Sequence, residues 1–307
     1  MAEPCGFPGQ TTRNPVHDVV MAVSSTLAIG DQDVTRLLLM AICLLWLPAK
    51  ADRVELTLPN QLVARAEFRE GHPGKPAVVL MHGFLQTHDF PVIHRLTEHL
   101  GGAGYTVLAP TLTLGISARR QSLACEALHT HTQEDAIREL DAWMKWLKAR
   151  RVQSVILIGH SFGSMQALAY TAEMHNPMVK KLIGISIIEG RPIGRNGKEV
   201  LPARGNGKPD GIVTQAFSFC QKFRASPSTL ESYLAWTPRR ILNEVDRSRL
   251  PITFIMGDRD DRLGPHWIAQ LQKTRAKVRI IPGANHFMDG EYEFDLLDRV
   301  SEELKGL

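Results

Sequence analysis

The chain predicts an α/β fold: a mainly parallel, doubly wound sheet of about eight strands, with helices on both faces and a cap inserted after the sixth strand. Three observations carry this. Short β-branched apolar runs alternate with longer segments of helical period. The later runs are almost continuously apolar, Val155-Ile156-Leu157-Ile158 most clearly, as strands covered on both faces of a parallel sheet require. One connection, Arg191 to Ser248, is 58 residues long, too long for a simple loop. At 307 residues, 44% hydrophobic and 22% charged, the chain suits one large domain with an insertion, or two modest ones. A net charge of +4, with no long Lys/Arg run, RNA-binding signature or zinc-finger spacing, makes no case for a nucleic-acid partner.

The N-terminus comes first. Arg36 precedes eleven uncharged residues, Leu37 to Leu47. Pro48 breaks the run, and Ala49-Lys50-Ala51 offers the small-x-small pattern of a cleavage site. This reads as a secretory leader, with the mature chain starting near Asp52 and a periplasmic or secreted location. The run is too short for a stable membrane span, which takes roughly twenty apolar residues. Residues 1 to 33, with Glu3, Asp18, Asp31 and Asp33 against one Arg13, fit poorly as part of a leader, and initiation near Val34 is the hypothesis that accommodates them. The expected organisation is residues 1–51 as extension and signal peptide, 52–190 with 249–307 as core, and 191–248 as cap. The mature chain would keep two cysteines, Cys125 and Cys220, which either pair or stand as small buried residues.

Strands are expected at Arg53–Leu58, Leu62–Phe68, Ala77–His82, Thr106–Ala109, Ser154–Ile158, Leu182–Ile188, Ile252–Met256 and Val278–Ile281, the first two as an antiparallel hairpin. Gln133–Lys148 has Ala136, Ile137, Leu140, Trp143, Met144 and Leu147 on one helical face, behind a Thr132/Asp135 cap. Further helices are expected at Phe162–Met174, Pro265–Ala276 and Glu291–Leu304. The cap opens on two Asn-Gly turns, near 196 and 206, followed by helices begun by Ser228 with Glu231 and by Thr237-Pro238. It carries ten Lys/Arg against five Asp/Glu, so the excess positive charge sits there.

The chemistry centres on Gly159-His160-Ser161-Phe162-Gly163, straight off a buried strand and onto a helix. A serine between two glycines in that setting occupies a sharp turn that lifts its hydroxyl above the sheet edge, with a helix N-terminus aimed at developing negative charge. A serine hydroxyl needs a base, and the base an orienting acid. His286, in Gly283-Ala284-Asn285-His286 after the last strand, is the candidate base. The acid is expected in Gly257-Asp258-Arg259-Asp260-Asp261: Asp260 is favoured, Asp258 is the alternative, and Glu189 is a more distant one. His82-Gly83-Phe84 ends the third strand, and the N–H groups of Phe84 and Phe162 are the candidate oxyanion donors. His129-Thr130-His131 has no third ligand at metal-site spacing and reads as a helix-entry loop. Arg119-Arg120 reads as surface charge, with an anion clamp as the functional alternative, and His160 as packing.

Four ordered motifs, His82-Gly83-Phe84, Gly159-His160-Ser161-Phe162-Gly163, Gly257-Asp258-Arg259-Asp260 and Gly283-Ala284-Asn285-His286, resemble those of the α/β-hydrolase superfamily over roughly residues 53 to 307. One turn departs: many relatives carry Asp-x-x-Gly-x-Gly-x-Ser after the fourth strand, where this chain has Pro110-Thr111-Leu112-Thr113-Leu114-Gly115-Ile116-Ser117. The resemblance implies a hydrolase that cleaves an ester or related acyl bond of a small molecule through an acyl-serine. It needs no metal or organic cofactor. The alternative is a non-catalytic member of the fold that binds through its basic cap.

Overall fold

The protein is described from a computed structural model, over residues 51–190, 211–264 and 266–306. The expected leader and the Asn-Gly turns near 196 and 206 lie outside the described residues. In chain order the core opens with β1 (Ala51–Thr57), β2 (Val63–Arg69), β3 (Ala77–Met81), α1 (Pro91–Gly102), β4 (Val107–Thr111) and α2 (Gln133–Ala149). It continues with β5 (Val155–His160), α3 (Phe162–Met174) and β6 (Val179–Ile185). Next come β7 (Val213–Phe217), β8 (Cys220–Ala225), α4 (Pro227–Leu234) and α5 (Pro238–Arg247). The chain closes with β9 (Ile252–Gly257), α6 (Trp267–Leu271), β10 (Lys277–Ile281) and α7 (Tyr292–Leu304).

Eight strands form one sheet in the order β1-β2-β4-β3-β5-β6-β9-β10. Only β2 runs against its neighbours; the other pairings are parallel. Side chains alternate across the strands. Val78, Leu80, Ile156 and Ile158 join the core under α1 and α7, while Val79, Met81, Val155 and Leu157 join the one under α2 and α3. Each fully buried Val, Leu or Ile contributes roughly 1.5–3 kcal/mol, which is why these strands are apolar on both faces. The expected α/β class and eight-stranded, mainly parallel sheet are present.

Several elements differ from expectation. Helix α1 was not predicted, although Val92, Ile93, Leu96 and Leu100 bury one helical face behind Pro91. Helix α6 is shorter than Pro265–Ala276: the Thr274 hydroxyl donates to the Leu271 carbonyl at 2.6 Å and its oxygen accepts Ala276 N–H at 3.3 Å. That side chain replaces the hydrogen bonds a longer helix would use. The segment between β6 and β9 was expected to be turns and helices, but it holds the antiparallel pair β7–β8. Along β8, Cys220, Phe223 and Ala225 are buried while Gln221, Lys222 and Arg224 are exposed. Helix α4 is capped by Ser226, two residues before the expected Ser228, with Ser226 Oγ accepting Thr229 N–H at 3.2 Å. Thr237 caps α5 as expected.

Cys125 and Cys220 are joined, with Cα atoms 5.5 Å apart across 95 residues of sequence. The bond and its flanking hydrogen bonds, Arg224 N–H to Cys125 O and His129 N–H to Arg224 O, fasten β8 to the segment after β4. No helix among the described residues is long and apolar enough to cross a membrane.

Candidate active site

Ser161 stands between the end of β5 and the start of α3 at φ 56°, ψ −121°, a conformation that costs a non-glycine residue roughly 1–3 kcal/mol. The surroundings hold it there. Its N–H donates to Ile185 O at 2.8 Å, its carbonyl accepts Ser164 N–H at 3.0 Å, and Ser164 Oγ donates to Gly159 O at 2.7 Å. The two glycines are dictated by close approach. A Cβ on Gly159 would lie 2.4 Å from Gly163 backbone atoms, and one on Gly163 would lie 2.3 Å from Met81 O and 2.6 Å from His82 O. The Ser161 turn and the end of β3 are therefore pressed together.

His286 follows β10 and reaches this turn. Ser161 Oγ–H donates to His286 Nε2 at 2.9 Å, and His286 Nδ1–H donates to Asp260 Oδ2 at 2.7 Å. The His286 and Asp260 side chains are 4% and 1% exposed. Asp260 Oδ1 accepts Arg262 N–H at 3.0 Å, so both carboxylate oxygens are engaged. The other two candidate acids do different work. Asp258 Oδ1 accepts Gly283 N–H at 2.6 Å and fixes the turn that carries His286. Glu189 Oε1 accepts Gly264 N–H at 2.7 Å and holds the far end of the Asp260 loop. His160 is fully buried and donates from Nε2–H to the His286 carbonyl at 2.9 Å. Burial first, then the charges of His286 and Arg262, push its pKa down to about 3.

Phe84 and Phe162 bring their rings to 4.6 Å, and no acceptor among the described residues takes either backbone N–H. The Phe84 ring also packs against Phe217, Phe223 and Tyr233 from the segment between β6 and β9. Behind Phe84, His82 Nδ1–H donates to Gly83 O at 2.8 Å while Nε2 accepts Leu112 N–H at 3.0 Å. Burial and the Arg119 charge hold its pKa at about 3, so the ring is neutral.

Arg119 is neither surface charge nor a free clamp. It is buried, and it donates to Leu112 O, Gln121 O and Gln86 O at 2.7, 2.8 and 2.7 Å. Sequence reasoning missed its neighbour Glu139, which accepts from Thr113 N–H at 2.9 Å and Thr113 Oγ–H at 2.7 Å. Burial lifts the Glu139 pKa to about 7. Together, these residues hold the turn after β4 in its divergent form. The only sequence signal was a lone glutamate on the apolar face of α2. His129 and His131 are buried in the loop before α2, His129 Nε2–H donating to Ala124 O at 3.1 Å. No cluster of three metal-ligating residues occurs among the described residues.

Residues 78–294 match the model of a family described as the alpha/beta hydrolase family. No curated protein matches the chain. Solved structures do. Est1E from Butyrivibrio proteoclasticus is 18% identical at a TM-score of 0.61, covering 83% of this chain and 98% of its own. Its complex with ferulic acid gives 20% and 0.62, covering 82% and 98%. The Paleococcus ferrophilus monoacylglycerol lipase gives 18% and 0.56, covering 83% and 98%.

Proposed function

The chain belongs to the α/β hydrolase family, and from that premise we propose that it is an exported serine hydrolase cleaving an ester or related acyl bond through an acyl-serine intermediate. One observation carries the reading: a single imidazole, that of His286, spans Ser161 Oγ and Asp260 Oδ2. Ser161 Oγ attacks the substrate carbonyl as its proton passes to His286 Nε2. Asp260 holds the imidazole tautomer and stabilises the imidazolium. The N–H groups of Phe84 and Phe162 receive the oxyanion, and a donor of this kind is worth roughly 3 kcal/mol in the transition state. Collapse expels the alcohol or amine, protonated from His286. Water, deprotonated by the same imidazole, then cleaves the acyl-enzyme. Est1E, solved with ferulic acid, and the monoacylglycerol lipase support acyl-bond chemistry on this fold.

The segment from Arg191 to Ser248 acts in this reading as the cap, its Phe217, Phe223 and Tyr233 closing over Phe84. Export is supported by the leader-like run before Asp52 and by the Cys125–Cys220 bond, of a kind that persists in oxidising compartments. A fluorophosphonate probe tests the chemistry. It should label the wild-type protein at Ser161, with Ser161→Ala unlabelled and His286→Ala nearly so, and both variants should lose almost all ester turnover because the residues act as a unit. Labelling that persists in Ser161→Ala would sink the assignment.

A further inference from the structure

The mouth of the site holds a cation that the proposed reaction does not use. Arg262 is exposed, two residues beyond Asp260, and its guanidinium stands 4.7 Å from the Phe287 ring centre and 5.7 Å from that of Phe219. The two rings come from different parts of the chain. Phe287 follows His286 directly and packs 5.3 Å from its imidazole. Phe219, at the tip of the β7–β8 hairpin, is 45% exposed and packs 5.9 Å from Phe84. The guanidinium therefore lies no farther from the imidazole than the two Phe287 distances added together. Among the described residues no carboxylate pairs with it; Asp260 takes the Arg262 backbone N–H instead.

A guanidinium beside aromatic rings is weakly hydrated and oriented in advance. The N–H donors of its planar fork fit the two oxygens of a carboxylate. A carboxylate arriving here meets a partner already in place. The exposed Phe219 ring adds apolar contact for the chain linking that carboxylate to the scissile bond.

We propose that Arg262, beside the rings of Phe219 and Phe287, is the anion-recognition residue of this site, selecting esters that carry a free carboxylate beyond the scissile bond. This rests on the serine-hydrolase reading above. The test uses two length-matched ester pairs at low salt. The 2-naphthyl half-ester of adipic acid is compared with 2-naphthyl hexanoate, and 4-carboxyphenyl hexanoate with phenyl hexanoate. The readout is the ratio of kcat/KM for the anionic over the neutral member. In at least one pair, Arg262→Gln should lower that ratio tenfold or more, and Arg262→Lys should retain part of it. In the wild-type protein 1 M NaCl, where the screening length is about 3 Å, should narrow the same ratio. Equal losses on both members of both pairs would overturn the proposal. So would a protein labelled by fluorophosphonate at Ser161 that hydrolyses none of the four esters. Absence of both labelling and turnover would overturn the serine-hydrolase reading instead.

Discussion

His160 and His286 sit with ring centres 5.2 Å apart, yet only one bridges a hydroxyl and a carboxylate. His286 has Ser161 Oγ on one nitrogen and Asp260 on the other, whereas His160 donates to a backbone carbonyl from a fully buried position. Its pKa, held at about 3 chiefly by burial, keeps it neutral from about pH 4 upward, so it takes up no proton while the enzyme works. His160→Gln keeps an N–H donor for the His286 carbonyl. It should therefore leave the shape of the pH–rate profile unchanged, even where a small shift of the His286 main chain lowers kcat. An acidic limb displaced by half a pH unit or more would show that His160 does titrate during turnover. Ser161 and His286 were legible as candidates from position, because each follows a strand at a turn rich in glycine. The choice between Asp258 and Asp260 was not. Both lie in one loop, and only its fold decides that Asp258 meets Gly283 N–H while Asp260 meets the imidazole.

At the scale of elements, the β7–β8 hairpin is joined to the core chain by Cys125–Cys220 and by the hydrogen bonds from residues 125 to 129. A bond closing 95 residues restricts the unfolded chain and is worth about 4.7 kcal/mol on loop-entropy grounds, less any strain. Peptide mapping without reductant should find the two cysteines joined. The Cys125→Ser, Cys220→Ser variant should unfold at lower urea with a loss of that order. Identical midpoints for variant and wild type would mean the bond does not constrain the chain in solution. The core strands and α2 were legible because burial on two faces, or on one helical face, leaves an unmistakable period. The hairpin was not, because its two strands are only five and six residues long and sit among turn and helix-start signals. Helix α1 has the period too, with His94 and His99 interleaved among its buried Val92, Ile93, Leu96 and Leu100.

Across the whole molecule the two ends of the sheet gather different groups. Ser161, Asp260 and His286 stand at the C-terminal ends of the strands, while the opposite end is tied together by one carboxylate. Glu303 of α7 is buried against three strands. Its Oε2 accepts Lys181 Nζ of β6 at 2.7 Å and Thr253 Oγ1 of β9 at 2.9 Å, and its Oε1 faces Lys277 and Arg279 of β10 at 2.5 and 3.3 Å. Burial alone would raise its pKa, but the hydrogen bonds from Lys181, Lys277 and Thr253 outweigh it and hold the group at about 2, against an ordinary 4.5. A depressed acid contributes stability above its unfolded pKa and loses it as pH falls toward its folded one. At about 1.4 kcal/mol per unit, the contribution at neutral pH is about 3 kcal/mol. Glu303→Gln should therefore be less stable than wild type by roughly that amount at pH 7, and the gap should close between pH 4.5 and 2. Because the network lies at the far end of the sheet, kcat at a temperature where both proteins are folded should change little. Chemical denaturation of the pair across pH 2 to 7 measures the gap. A difference that stays constant over that range would mean Glu303 stabilises by packing, and that the ion network holding α7 to β6, β9 and β10 contributes little.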